Sequence, residues 1–402
     1  MNYTRAEVLE FIETEDVRFV RLVFCDAFGK PKNIAIMPDE LPRAFDSGIS
    51  FDASSIPGFR DETKSDLLLF PVPATLTSLP WRSYQGKVAS MFCEIRYPDG
   101  RVYEKDGRAI LASAVTFARM HGITVNFGAE YEFYLFKRDA QGEPTKLPFD
   151  NARYMDAAPE DKGEDIRREI CLSLLDIGIR PESAHHEAGP GQNEIDLRYS
   201  DAMTAADNAV NFIGVVKSAA DQNGLYADFS PKPLADQPGN GLHINMSVVS
   251  SDGADKTAPF MAGVLAHIRE ISAFLNPTED SYRRLGEMKA PRYITWSPEN
   301  RSQLIRIPAA KGEYRRIELR SADPTANPYL AYALLIHAGL DGIINDLPLQ
   351  ESTDINLYTA DKSITDKLDV LPGSLPEAVR LAEESEFIAR LLPRGFTDCL
   401  KG

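Results

Sequence analysis

The chain is poor in cysteine and has none in pairs. Cys25, Cys93, Cys171 and Cys399 are scattered through 402 residues without a Cys-x-x-Cys spacing. Neither a disulfide framework nor a thiolate zinc site is expected, and the thiols read as reduced. Positive charge is also short, with 44 Lys and Arg against 60 Asp and Glu, a net −16. That balance excludes the basic face that grips nucleic acid or anionic lipid, but it suits a site that concentrates cations. Long apolar runs are missing. Tyr329 to Ile344 comes nearest and is broken by His337 and Asp341, so no membrane span is expected. The N-terminus is charged and lacks the apolar core of a signal peptide, which points to the cytoplasm. There is no GxxxxGK[ST] loop and no GxGxxG, so neither a P-loop nor a dinucleotide fold is supported. No internal repeat or low-complexity tract is visible.

What is there is ordinary globular material, 43% hydrophobic and 26% charged, long enough for two domains. The Pro98-Asp99-Gly100 turn signal sets an expected boundary, with one domain over 1–100 and a second over 101–402. The first reads as strands over 17–24 and 88–97, a turn at 27–30, a short helix flanked by Pro38 and Pro42, and a loop running from Gly48 past Gly58. In the second, helices are expected over 106–121, 164–177, 205–223 and 327–344, each closed by a cap or stop signal.

The strands carry the chemical signal. Over 124–136, Val125, Phe127, Ala129, Tyr131, Phe133 and Leu135 fall on one face, and Asn126, Gly128, Glu130, Glu132 and Tyr134 on the other, as period-two alternation requires. The same alternation places Glu194 with Asp196 and His243 with Asn245 and Ser247. It also places Glu318 between Arg316 and Arg320, and Arg306 opposite Ile305 and Ile307. These polar faces hold Glu, His and Arg and almost no Lys. If they line one cleft, Glu130, Glu132, Glu194, Glu318 and His243 meet there, and Glu187 joins through the Pro190-Gly191 turn. Two carboxylates about 5 Å apart repel by roughly 3 kcal/mol at an effective dielectric of 20. Oxygen donors with one imidazole suit Mg2+ or Mn2+. Arginines beside such ions suit phosphate and a substrate carboxylate. The sum describes ATP-dependent activation of an acid.

The same segments resemble type I glutamine synthetase along nearly the whole chain. Phe51-Asp52-Ala53-Ser54-Ser55-Ile56 is similar to its N-terminal latch, and Phe127-Gly128-Ala129-Glu130-Tyr131-Glu132-Phe133 to its paired-glutamate strand. His185-His186-Glu187 with Gly191-Gln192-Asn193-Glu194 is similar to the second glutamate pair, and Gly239-Asn240-Gly241-Leu242-His243 to the glycine loop and histidine strand. Asn300-Arg301-Ser302, Ile305-Arg306-Ile307-Pro308, Arg316-Ile317-Glu318-Leu319-Arg320 and Asn327-Pro328-Tyr329-Leu330 complete the set.

The resemblance implies an α+β protein. An N-terminal β-grasp domain would precede a catalytic domain whose curved antiparallel sheet lines the active site. It also implies a homo-oligomeric ring with sites between subunits. One metal would be held by Glu132, Glu187 and Glu194, another by Glu130, His243 and Glu318. Arg284, Arg320 and Gly239 would bind glutamate, with Tyr154 and Ser55 nearby. Tyr199, Asn245, Ser247, Arg306 and Arg316 would bind ATP. Arg301 and Arg306 would serve the transferring phosphoryl group, and Asp52 of the neighbouring subunit would take a proton from ammonium. The implied reaction joins ammonia to the γ-carboxylate of L-glutamate through γ-glutamyl phosphate, with ATP as co-substrate. Removing Glu318 should then abolish turnover and leave the fold intact.

The sequence departs from the family pattern in places. Lys289 stands where a flap glutamate is usual, and Glu287, two residues earlier, is the candidate substitute. Pro238 replaces an asparagine, Ala53 a glycine and Asn245 a histidine, and Ala152-Arg153 precedes Tyr154 in place of glycines. A γ-glutamyl ligase using an organic amine or polyamine is therefore an alternative, and a non-catalytic binding protein on the same scaffold is another. The chain ends at Gly402, short of the usual C-terminus, so a single hexameric ring stands beside the double-ring dodecamer. Asn356-Leu357-Tyr358 is similar to a loop that some members adenylylate, although its flanks diverge. His185 reads as a packing or hydrogen-bonding residue rather than a ligand, and His121, His267 and His337 as structural.

Overall fold

In the computed structural model, which describes residues 3–59, 63, 65–79, 86–287, 289–310 and 312–401, alternating apolar residues build two sheets. The N-terminal sheet has six strands. They run Pro31–Ile36, Val17–Cys25, Lys87–Arg96, Asp66–Pro71, Ile49–Asp52, with Thr77–Ser78 beside Lys87–Arg96. Val17–Cys25 and Lys87–Arg96 pair in parallel, with Leu22 opposite Met91. Their inward residues Val20, Leu22, Ala89, Met91 and Ile95 form one core with Val8 and Ile12 of the Arg5–Thr14 helix.

The second sheet has ten strands. Its path is Trp296–Pro298, Ile305–Ile307, Ile317–Leu319, Leu242–Ser250, Ile123–Arg138, Gln192–Leu197, Pro181–His186. The long Ile123–Arg138 strand also pairs with Ser200–Asp201, Leu225–Asp228 and Pro144–Pro148. Its odd-numbered apolar residues are all buried, as the alternation predicts. They pack in one core with residues of the helices Gly107–Met120, Ala202–Gln222, Thr257–Leu275 and Pro328–Ile344. Phe127 stacks on Tyr332 at 4.2 Å and Tyr131 on Phe212 at 4.9 Å. Burying each such ring contributes about 1.5–3 kcal/mol. The register does the rest. Glu130 faces His243 and Asp196, Glu132 faces Glu194, and Glu318 faces Asn245 and Arg306.

Four expectations change. Pro42 lies inside the Leu41–Ser47 helix, in its first turn, where a missing N–H costs nothing. The segment after Gly48 is not all loop, because Ile49–Asp52 joins the sheet edge against Asp66–Pro71. The second sheet is not wholly antiparallel, since Trp296–Pro298 and Ile305–Ile307 run parallel. The helix expected from 205 starts earlier, as Ala202–Gln222, capped by the Asp201 carboxylate. Among the described residues no helix is long and apolar enough to cross a membrane.

One asparagine ties the two sheets together. Asn327 Oδ1 accepts from Tyr329 N and caps the Pro328–Ile344 helix, while its Nδ2 donates to Ala27 O at 3.1 Å. Gly29, at φ +75°, lets that turn approach, because a Cβ there would sit 2.8 Å from Asn327 Cα. Asn327→Ala removes both bonds from a buried site and should cost about 2 kcal/mol. Asn327→Asp keeps the cap and should cost less. Denaturant unfolding of the two variants beside wild type measures the difference.

Candidate active site

The polar face of the ten-stranded sheet brings the acidic residues together as two overlapping groups. In the first, His243 Nδ1 lies 3.0 Å from Glu130 Oε2 and 3.7 Å from Glu318 Oε1. Ligand atoms of these three residues all lie within 4.8 Å of one another. Burial works to raise Glu130. The hydrogen bond and charge of His243, the Asn245 amide and Arg320 outweigh it and hold the carboxyl at about 2. Glu318 has no solvent exposure and is gripped by the guanidinium groups of Arg306 and Arg320.

In the second group the expected Glu132, Glu187 and Glu194 meet through Glu194, which shares one cluster with Glu187 and another with Glu132. Glu187 and Glu194 share a 4.8 Å cluster with His185, whose Nε2 is 3.4 Å from Glu194 Oε1. His185 thus makes a polar contact with the acidic group. Glu132 clusters with Glu194 and His243, and its Oε2 accepts from Gly241 N at 2.7 Å and Gln192 Nε2 at 3.2 Å. Burial, then the charges of Glu132, Asp196, Glu130 and Glu187, push Glu194 well above the carboxylate range. Burial and Glu132 raise Glu187 in the same direction. Buried oxygen donors that repel one another fit hard divalent cations, and no thiolate is among them.

Arginines line the same site. Arg284 is buried, donating from Nη1 to Ser321 O at 2.8 Å and from Nη2 to Arg320 O at 3.3 Å. The glycine loop must lie flat against it, since a Cβ on Gly239 would meet Pro231 O at 2.3 Å and Arg284 Cγ at 2.9 Å. Pro238 is accommodated through its carbonyl, which accepts from Tyr134 OH at 2.6 Å. Arg301, Arg306, Arg316 and Arg320 line the same cavity of about 790 Å³, with Glu130, Glu132, Glu187, Glu194, His243, Gly239 and Tyr154. A second cavity of about 240 Å³ holds Gly128, Tyr199, Asn245, Ser247 and Arg316, and it shares Glu130 and Asp196 with the first. Asn245 bridges the two walls, accepting from Arg316 Nε at 2.9 Å and donating to Glu130 Oε1 at 2.8 Å.

Three expected residues lie elsewhere. Asp52 and Ser55 sit on the N-terminal sheet, where the Asp52 carboxylate accepts from Ser54 N at 2.9 Å and Ser55 Oγ at 3.0 Å. The Ser54 hydroxyl, donating at 2.6 Å, and then these two bonds hold Asp52 below the ordinary carboxylate range. Glu287 is exposed and faces Lys232 at 3.5 Å. Lys289 does line the large cavity, in a left-handed conformation at φ +75°, with Nζ 5.1 Å from the Tyr154 ring centre. Sequence reasoning missed Asp196, although it shares a strand face with Glu194; burial, then Glu130, raises it to about 6. It also missed Asp150, which bonds His186 Nε2 at 2.9 Å while His186 Nδ1 meets Glu187 O at 2.6 Å. Tyr358, by sequence a residue of a modifiable loop, lies in the cavity wall.

Comparison with known proteins identifies the family. A family model described as the glutamine synthetase catalytic domain matches residues 104–399, and one described as its beta-grasp domain matches 16–98. A glutamine synthetase of Clostridium saccharobutylicum is 42% identical, covering 97% of this chain and 91% of its own. One from Methanosarcina mazei is also 42% identical, over 97% and 90%. A solved GmaS/ADP complex superposes with a TM-score of 0.89 at 29% identity, over 100% of this chain and 94% of the other. A Plasmodium falciparum glutamine synthetase structure shares the fold, with a TM-score of 0.87 at 24% identity over 99% and 95%. The chain belongs to the glutamine synthetase family, and its fold is a β-grasp domain joined to an α+β catalytic domain.

The burial of Glu318 revises one expectation. Glu318→Ala strands two guanidinium groups without their shared partner, so the fold should not be indifferent to it. A loss of about 3–5 kcal/mol is expected, with a smaller loss for Glu318→Gln. Denaturant unfolding checks the stability, and Mn2+ calorimetry should show weakened binding in both variants.

Proposed function

We propose that this protein joins ammonia to the γ-carboxylate of L-glutamate at the expense of ATP, giving glutamine, ADP and phosphate. The observation that carries the reading is one cluster. Glu130, His243 and Glu318, on three adjacent strands, bring ligand atoms within 4.8 Å of one another, with Arg306 and Arg320 against Glu318.

Glu130, His243 and Glu318 would hold one Mg2+ or Mn2+ ion, and Glu132, Glu187 and Glu194 a second; bound there, they supply positive charge against phosphate and carboxylate oxygens. Tyr199, Asn245, Ser247 and Arg316 line the nucleotide side. Arg284 and Arg320, with the Gly239 backbone, orient the glutamate carboxylates. The γ-carboxylate attacks the γ-phosphorus of ATP and expels ADP, while Arg301 and Arg306 neutralise the moving phosphoryl group. Ammonia then displaces phosphate from the acyl phosphate. The proton that ammonium gives up goes to Asp52 of the partner subunit, beside Ser55, with Tyr154 and Glu287 at the ammonium end. A homo-oligomeric ring, single or double, a division near residue 100 and a cytoplasmic location belong to the same reading.

Purified protein given Mg2+, ATP, glutamate and ammonium should form glutamine and phosphate in equal amounts. A chelator should stop the reaction and added Mg2+ should restore it. Absence of phosphate release with all four present would sink the reading. Lys289 puts a cation beside Tyr154, so methylamine is run in parallel with ammonium. Faster release with methylamine would move the acceptor to an organic amine.

A further inference from the structure

We propose that the 350–358 segment is a strap that positions Arg301, and that the Tyr358 hydroxyl is its fastening at the active-site rim. The inference rests on the reading of Arg301 as a phosphoryl-side residue.

Arg301 lies in the link between Trp296–Pro298 and Ile305–Ile307, two adjacent parallel strands. So short a link cannot make the usual crossover and must double back on itself. It does so with Glu299 at φ +63° and Asn300 N donating to Pro298 O at 2.7 Å. Such a link has little ladder to hold it. Its polar groups are met by the strap instead. Trp296 Nε1 donates to Gln350 O at 2.8 Å, and Ser297 Oγ to Asp354 Oδ1 at 3.0 Å. Asn300 Nδ2 and Gln303 Nε2 both donate to Ile355 O, at 3.0 and 3.1 Å. Leu357 N donates to Ser302 Oγ at 3.0 Å, and Leu357 itself is buried.

These bonds fall on either side of Arg301. At Arg301 itself, the backbone carbonyl accepts from Tyr358 OH at 3.2 Å. The Tyr358 ring lines the same cavity as Arg284, Arg301 and Arg320. Burial raises its phenol above the ordinary range against the pull of Arg320 and Arg284, so the group stays an O–H donor. A side chain that must meet a moving phosphoryl group depends on its backbone being fixed, because a displacement of about 1 Å costs rate heavily. Tyr358 is therefore a positioning residue, acting through Arg301.

Tyr358→Phe keeps the ring and removes the donor. One hydrogen bond of this kind predicts a fall in kcat of about three- to tenfold. KM for glutamate and for ATP should change less than about twofold, because the ring stays in the cavity wall and Arg284 and Arg320 keep their own partners. Amide hydrogen exchange in 299–304 should quicken, with the rest of the chain unchanged. Asn300→Ala releases the same link from its other side, so its effect and that of Tyr358→Phe should combine to less than their sum. Unchanged exchange overturns the proposal whatever kcat does. Faster exchange with unchanged kcat overturns it too, since the strap would then be structural only. A raised KM for glutamate at constant kcat would make Tyr358 a substrate contact instead. Exchange needs no turnover, so a wild type inactive as a ligase would refute the proposed reaction while the strap is still decided by exchange.

Discussion

Everything in the catalytic half is arranged around the balancing of buried charge on adjacent strands. Two carboxylates at about 4 Å repel by roughly 4 kcal/mol even at an effective dielectric of 20. Here Glu194 sits in three separate clusters with Glu187, with Glu132 and with Glu130 and Asp196. The protein meets part of this internally. Arg306 and Arg320 saturate Glu318, His243 and Asn245 serve Glu130, and Gly241 N serves Glu132. Glu187 and Glu194 are left with raised proton affinity because burial and like charge act on them together. That residue of unbalanced negative charge is what marks the site as one for cations.

The second consequence is spatial. The nucleotide-side cavity and the larger cavity meet along Glu130 and Asp196. Asn245 ties that shared wall to Arg316. A phosphate chain lying between the cavities would therefore pass the acidic face and the guanidinium face at once. The glycine loop gives the far end its closeness, since Gly239 and Gly241 leave no atom between the backbone and Arg284.

Much of this was legible in the sequence because strand alternation has a fixed period. Glu130 and Glu132, Glu194, His243, and Glu318 between Arg316 and Arg320 all announced a shared polar face, and the structure puts each where the period says. Asp196 obeyed the same rule and was passed over. What could not be read was the partition of donors. Glu132 turns to Gly241 N and His185 turns toward Glu194, and those choices depend on where the glycine loop closes in space. Nor does local pattern show that Glu318 loses all contact with water, or that Tyr358 reaches back to Arg301, because both follow from long-range packing. The strand after Gly48 was hidden for a related reason. Ile49–Asp52 is an edge segment whose pairing with Asp66–Pro71 is a tertiary choice.

The Ile123–Arg138 strand pairs with Leu242–Ser250, Gln192–Leu197, Ser200–Asp201, Leu225–Asp228 and Pro144–Pro148. Such a hub cannot absorb a change of length. A single codon gained or lost in it ahead of Ala129 would rotate everything beyond that point by half a period, sending Glu130 and Glu132 into the apolar core and Ala129 and Tyr131 into the cleft. Variation in chain length among descendants of this protein should therefore accumulate at the hairpin after Arg138 and in surface loops, while this one stretch keeps its count.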